Sequence, residues 1–532
     1  MADKKITEAT NVFPTGLDKI PIGRTTSTAA YNVSVGDLRH GVIDVHDYGA
    51  VGDGTTDDST AINLAIITGA VLHTEVGQTR AGRIVIRFHP TKKYAIESPV
   101  CMWDMQGVML DGGAPNFGAT LIGKCVDQAM IEIVGSSNIV VQNLQLWGDT
   151  TDTPAVGTWT ARSNTTHGVN SNNITFRNVE YYGYFTKACH YCVSSESNHL
   201  YECWTYPYGD ATMEGIVYIS TENDFGITPA GGTLDSHGYG NNDMQIVGSG
   251  LTGWGVTAIK IMAGCGVTAR DTYLYSDGVD AAVEMVGGCY FIADAIGCEG
   301  APLSTIKITY DAAGSNINWL ILDDSSMGSP TQYTIYAEDG SILRDSKISS
   351  TGPGVSGGAC MPVHLHIAQN CDFTGLSEYR SGVFDIEYSG ATGSSVQNIY
   401  RLGLNDTITL NGAGQLGDII EDMVDSLNSK LQVPALTIGS GSSIIGFHTA
   451  TATWDVGSLA NGESAETLVN ITGVTNDGAW VCFASLTSFT AAAWVITAYP
   501  SLGRVKVILT NHTGGTVDLD SGTLRVVAMK IA

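Results

Sequence analysis

The pentapeptide AVEMV at residues 282–286 is flanked by two versions of itself, AIKIM at 258–262 and TIKIT at 305–309. Each alternates apolar and charged residues, and in a strand successive side chains point to opposite faces. Ile259/Ile261, Val283/Met285 and Ile306/Ile308 are therefore expected to face a dry interior, with Lys260, Glu284 and Lys307 facing solvent. The pattern continues as IVYIS at Ile216, TIYAE at Thr334, HLHIA at His364 and DIEYS at Asp385, placing Leu365/Ile367 inward and Tyr336, His366 and Glu387 outward. A second ladder accompanies it. NIVVQNLQL from Asn138, NITFRNVEY from Asn173, HLYECWTYPY from His199, GVTARDTYLY from Gly266, CYFIADAIGC from Cys289, NINWLILDD from Asn316, SILRDSKIS from Ser341 and CDFTGLSEY from Cys371 recur with it. The period of roughly 23 to 30 residues is that of successive solenoid coils. Two strand ladders in register, closed by Gly- and Asn-bearing turns, describe a parallel β-helix over about residues 40–410.

Composition agrees with an all-β chain. The 532 residues include 64 glycines and only 15% charged residues, which favours many short turns between strands over long charged helices. A net charge of −27 repels nucleic-acid backbones and anionic membrane surfaces, and the sequence shows no basic patch to offset it. No apolar run reaches the length of a spanning helix, and the N-terminus lacks a signal peptide's apolar core, so synthesis in a cytoplasm is expected. Eleven dispersed cysteines do not suit a small disulfide framework and are expected to be mostly buried thiols. Cys189, Cys192, His199 and Cys203 have the wrong spacing for a zinc site, and His364 with His366 supplies only two ligands, so no metal or cofactor is implied.

A solenoid has an open end whose apolar stack and strand edges need covering. Residues 44–58, DVHDYGAVGDGTTDD, form a glycine- and aspartate-rich loop ahead of STAINLAIITGAVLH. There Asp57 or Asp58 can accept the free N–H groups of a first helical turn. Ile62, Ala65, Ile66 and Gly69 share one helical face, so this helix is expected to be the lid.

The segment DVHDYGAVGDGTTDDSTAINLAI, with the Asn-bearing strands after it, resembles the pectate lyase-like right-handed parallel β-helix domains of bacteriophage tailspikes. The first forty residues, with KKIT, IPIG and VSVGDL in order, resemble a short virion-attachment module. The resemblance implies a virion tail protein that acts outside the host cell. It also implies a homotrimer joined through its N-terminus to a phage tail or baseplate protein. Its implied ligand is a bacterial capsule, O-antigen or exopolysaccharide.

The pattern changes after Leu410. QLGDIIEDMVDSLNSKL from Gln415 spaces Leu416, Ile420, Met423 and Leu427 near a heptad, so residues 412–435 are expected to form a helical linker of a kind that can pair as a three-stranded coiled coil across chains. From residue 436, TATWDV, ESAETLVNIT, WVCFASL, AWVITAYP, RVKVILTN and GTLRVVAMKI alternate between turn signals, as in an antiparallel β-sandwich. The tail resembles the sandwich that closes many tailspikes, in which NHTGGTVDLDSGTLRV corresponds to a final hairpin, and that implies trimerisation or carbohydrate binding. The expected organisation is thus an attachment module (1–40), a β-helix (41–411), a linker (412–435) and a sandwich (436–532).

A rigid solenoid repeats side chains at the strand spacing, which suits an extended polymer. The longest insertions lie between Asn138 and Asn242, and Trp147, Trp159, Tyr182, Trp204, Tyr206 and Tyr208 there are candidates to stack on sugar rings. Asp210, Glu214, Asp277 and Asp280 lie at turns before the strand ladder and are candidates for the general acid and the water-activating base of an endo-glycoside hydrolase. A polysaccharide lyase on the same fold would draw on Arg270, Lys260 and His237, and a binding spike would use no catalytic group.

Overall fold

A computed structural model of the chain describes most of residues 41–402 and 443–531, and short strands at 19–23, 30–34, 407–412, 419–422, 430–432 and 436–437; the longer segments left out are 1–18, 24–29, 35–40, 74–83, 163–170, 231–241, 351–359, 376–382, 390–396, 413–418 and 423–429. By contacts, residues 1–409 with 415–431 form one compact unit, and 410–414 with 432–532 form another.

The first unit is a parallel β-helix. As far as Met327 the coils run through three sheets in turn, as in Val140–Gln142, Leu144–Gly148 and Val156–Ala161, and later described coils use the first and third. Among the described residues the first sheet has 16 strands, the second 10 and the third 13. The expected ladder is the third sheet, where Ile259, Val283, Ile306, Ile335 and Val363 stand opposite one another on successive coils, all fully buried. What reads as one strand in NIVVQNLQL is two. Asn143 takes a left-handed φ of 57° and turns the chain from the first sheet into the second, and Asn178, Glu202, Asp271 and Ala295 do the same on later coils. Asn tolerates this conformation through local hydrogen bonding. Here the amides also stack, Asn178 Nδ2 donating to Asn143 Oδ1 (3.0 Å) and Asn143 Nδ2 to Asp111 Oδ1 (3.0 Å).

The interior is not wholly apolar. Thr158 Oγ1 bridges the Tyr181 hydroxyl (2.9 Å) and His190 Nδ1 (2.6 Å), and burial pushes the His190 imidazole down to about 3, so it stays neutral.

Helix α1, Ser59–His73, covers the solenoid's first coil. Ile62, Ala65 and Ile66 are fully buried, and a β-carbon on Gly69 would come within 2.8 Å of Ile43 and 3.0 Å of Ile84, so glycine is what lets the helix settle onto these interior side chains. The two aspartates divide the loop's work. Asp57 accepts from the Ser59 N–H (3.0 Å) at the helix start, while buried Asp58 turns back to accept from Val51 and Gly52 (2.6 and 3.1 Å).

The linker expectation is overturned where it can be read. Ile419–Asp422 is a strand, paired in parallel with Ile399–Leu402, not part of a helix. The exposed edge of the preceding coil offers unpaired backbone groups, and β-branched Ile419 and Ile420 suit a strand, so tertiary pairing outweighs heptad spacing. The outward row of the third sheet is corrected too. His364, not His366, follows Tyr336 and precedes Glu387. The strand ends at Leu365, and beyond it Ile367 is only half-buried while Ala368 is buried.

The second unit contains an antiparallel sandwich. Ser443–Trp454, Gly522–Ile531 and Trp480–Leu486 lie in one sheet, and Ser464–Asn470, Arg504–Asn511 and Trp494–Ser501 in the other. Trp454, Val469, Val505, Val507, Leu509, Leu524 and Val526 fill the core. The expected final hairpin is instead a crossing between sheets, because Arg504–Asn511 and Gly522–Ile531 pair with different partners. Among described residues before the solenoid, Lys19–Gly23 pairs antiparallel with Ala30–Ser34.

Candidate glycan-binding face

The second sheet turns two rows of side chains outward. One row runs Thr120, Gln145, Glu180, Trp204, Gly250, and the next Ile122, Trp147, Tyr182, Tyr206. Inward residues between them, Leu121, Leu146 and Tyr181, are buried, which fixes the phase and commits the aromatic positions to the surface. Trp204, Tyr206 and Tyr208 are 38, 41 and 45% exposed. The rings of Trp204 and Tyr206 lie 7° from parallel and 6.5 Å apart, and Trp147 and Tyr208 meet Tyr182 edge-on at 5.2 and 5.3 Å. A hydrogen bond of 2.5 Å between the Tyr182 and Tyr208 hydroxyls ties the platform together. Further along, exposed Trp254 packs on Tyr275 at 5.3 Å. Five of the six aromatic candidates thus converge on one open face running along the solenoid.

Trp159 does not. It faces outward from the third sheet but is 0% exposed, in a row of Cα partners Cys101, Glu132, Trp159, Tyr191, Tyr218, Lys260. The segment Thr221–Ala230 lies over this row as a strap, with Phe225 against Tyr191 (4.4 Å) and Tyr218 (4.5 Å) and Ile227 in the same cluster as Trp159. The Tyr191 hydroxyl donates to the Glu222 carbonyl (3.0 Å), the Tyr218 hydroxyl to Asp224 Oδ2 (3.0 Å), and the Ala230 N–H to Glu132 Oε2 (3.1 Å). Glu132 is buried, and loss of water pushes its carboxyl up to about 7, against the lowering effect of the Ala230 N–H. Nothing in TENDFGITPA announces a strap, so the sequence could not separate Trp159 from the open platform.

Of the four carboxylate candidates, Asp210 lies outside the described residues. Glu214 and Asp280 stand just before strands two coils apart in the third sheet, Gly215–Ser220 and Ala281–Val286. Lys260 Nζ lies 3.3 Å from Glu214 and 3.4 Å from Glu284, and Lys307 Nζ 3.4 Å from Asp280 and 3.2 Å from Glu338. Asp277, exposed, ends a strand of the second sheet opposite Trp254. For the lyase candidates, Arg270 is paired with Asp294 (2.8 Å) on the first sheet, Lys260 is held between two carboxylates, and His237 is outside the described residues. Glu180, Gln145 and Trp254 also belong to the face; for Gln145 and Glu180 the signal was the alternation in NLQLW and VEYYG.

Among the described residues no cluster of three or more His, Cys, Asp or Glu side chains could hold a metal ion. Residues 42–276 match the family model of rhamnogalacturonase A/epimerase, pectate lyase-like. The matched segment contains the whole aromatic platform. Solved structures similar to the chain include the Dettilon tailspike protein (12% identity, 94% of this chain and 96% of that one, TM-score 0.41). The Streptococcus pneumoniae surface adhesin PfbA has 13% identity over 74% of this chain and 100% of that one, with TM-score 0.40. The tailspike of E. coli bacteriophage HK620, solved with a pentasaccharide, has 12% identity over 97% of each chain, with TM-score 0.39. A comparison with curated proteins finds no match. No helix among the described residues is long and apolar enough to cross a membrane.

Proposed function

We propose that the chain is a phage tailspike that binds a bacterial surface polysaccharide along its second sheet and depolymerises it as an endo-glycoside hydrolase. The open aromatic platform carries this reading. Trp147, Tyr182 and Tyr206 repeat at the strand spacing on three successive coils, and such a row stacks consecutive rings of an extended glycan without demanding one fixed register.

The general acid and base are drawn from Asp210, Glu214, Asp277 and Asp280. Glu214 and Asp280 precede strands two coils apart, an offset of about 10 Å along the solenoid, close to the upper end of the carboxylate separation of an inverting glycosidase. Asp277 stands where the platform reaches Trp254. The lyase reading is weaker, since Lys260 and Arg270 are each engaged by carboxylates and are poorly placed to remove a proton. The N-terminal residues are assigned to attachment to the tail, and the sandwich to homotrimer formation.

Incubation of the purified protein with bacterial capsular and O-antigen polysaccharides tests the reading. New reducing ends without unsaturated-sugar absorbance support hydrolysis; both signals together mean a lyase, and binding without shortening means an adhesin. Single replacements of the four carboxylates by Asn or Gln are expected to cost at least about 100-fold in rate at two of the positions. Full activity in all four variants dismisses the assignment.

A further inference from the structure

Beside the platform, at the corner between the first and second sheets, lies a cavity of about 270 Å³. Its lining includes Thr120, Asn143, Gln145, Asn178 and Glu180, and of its eight lining residues only Glu180 is charged. The polar groups are ordered. Thr120 Oγ1 donates to Gln145 Oε1 (3.1 Å) and Gln145 Nε2 to Glu180 Oε2 (3.2 Å), so the relay ends on a carboxylate. Glu180 is also the strand neighbour of Trp204, and its charge adds to partial burial in raising the Tyr206 hydroxyl's pKa. Cavity and platform are therefore one continuous surface.

Its volume is enough to take one sugar residue. A carboxylate and side-chain amides favour hydroxyl, acetamido or amine donors. They disfavour a uronate or a sulfate, which would be held against Glu180 with no cation in the lining to compensate. Lys93, whose strand position faces Thr120, is turned over the Trp147 ring, 5.4 Å from its centroid.

Resting on the glycan-binding reading above, we propose that this cavity is a subsite for one non-anionic, donor-bearing sugar of the bound chain, with Glu180 as its specificity-determining residue. A lyase eliminates beside a uronate whose charge must be neutralised, so a subsite of this kind also favours hydrolysis.

The test is binding of the full-length protein, Glu180→Gln and Trp147→Ala to an array of capsular and O-antigen polysaccharides of known composition. The wild-type chain is expected to bind glycans of neutral or amino sugars at least tenfold better than uronate-rich ones. Glu180→Gln is expected to narrow that ratio, whereas Trp147→Ala weakens all bound glycans alike. A wild-type preference for uronate-rich glycans, or a ratio unmoved by Glu180→Gln while Trp147→Ala weakens binding, overturns the subsite alone. Absence of binding to every glycan, or binding indifferent to Trp147→Ala, overturns the platform reading and the subsite with it.

Discussion

The indole of Trp204 lies across Gly250 on the next coil, so that a β-carbon at position 250 would fall 2.3 Å from its Cε3 and Cζ3 atoms. Glycine is therefore what allows this ring to lie parallel to Tyr206. In Gly250→Ala the indole has to tilt out of the platform. Loss of one well-placed stacking surface is worth about 1 kcal/mol, or roughly fivefold in affinity. Calorimetric titration with a bound oligosaccharide is expected to show that loss while circular dichroism stays unchanged. Equal affinity would separate Trp204 from binding.

The strap over Trp159 is expected to respond to pH through Glu132. Its carboxyl is raised from 4.5 to about 7 beneath the strap, so the closed form holds a proton that the solvated form releases. Closure is most stable below about 4.5, weakens as pH rises to about 7, and changes no further above it. The whole window amounts to about 3 kcal/mol. The adjoining thiols of Cys101 and Cys125 stay protonated throughout, each pushed up to about 12 chiefly by burial. Hydrogen exchange of 221–230, corrected for intrinsic rates, should show protection falling between pH 5 and pH 8 in the wild type and flat in Glu132→Gln. An identical fall in both would remove Glu132 from the account.

The outer face of the larger sandwich sheet exposes Phe447, Val481 and Phe483, with Met529 between the first two and Val527 beside Phe483 in register. Under the homotrimer reading this face is covered by other copies. Phe447→Glu combined with Phe483→Glu is expected to turn a trimer into a monomer in sedimentation velocity, with the near-ultraviolet spectrum of the core tryptophans retained. A trimer that survives the double change would place the contact elsewhere.

The solenoid was legible because its alternation is strict. Ile259, Val283 and Ile306 could be assigned inward from period alone, and they are stacked neighbours. The division of each long strand was not legible, because Val141, Leu144 and Leu146 stay buried on both sides of Asn143 and a left-handed corner leaves little trace in hydropathy. The same limit applies to the site. Alternation told which aromatic residues leave the interior, and Trp147, Tyr182 and Tyr206 followed it. It could not tell that Trp159, equally outward, would be roofed by residues some sixty positions later. Heptad spacing around Ile419 failed for the opposite reason, since a short amphipathic pattern also suits a strand once an edge is waiting for it.

The most direct test of the central claim is a crystal structure with an oligosaccharide of a polysaccharide the protein binds. Sugar rings are predicted to lie along the second sheet over Trp147, Tyr182, Trp204 and Tyr206, with one residue entering the cavity at Glu180. An oligosaccharide bound on another sheet, or on the sandwich with the platform bare, would contradict it.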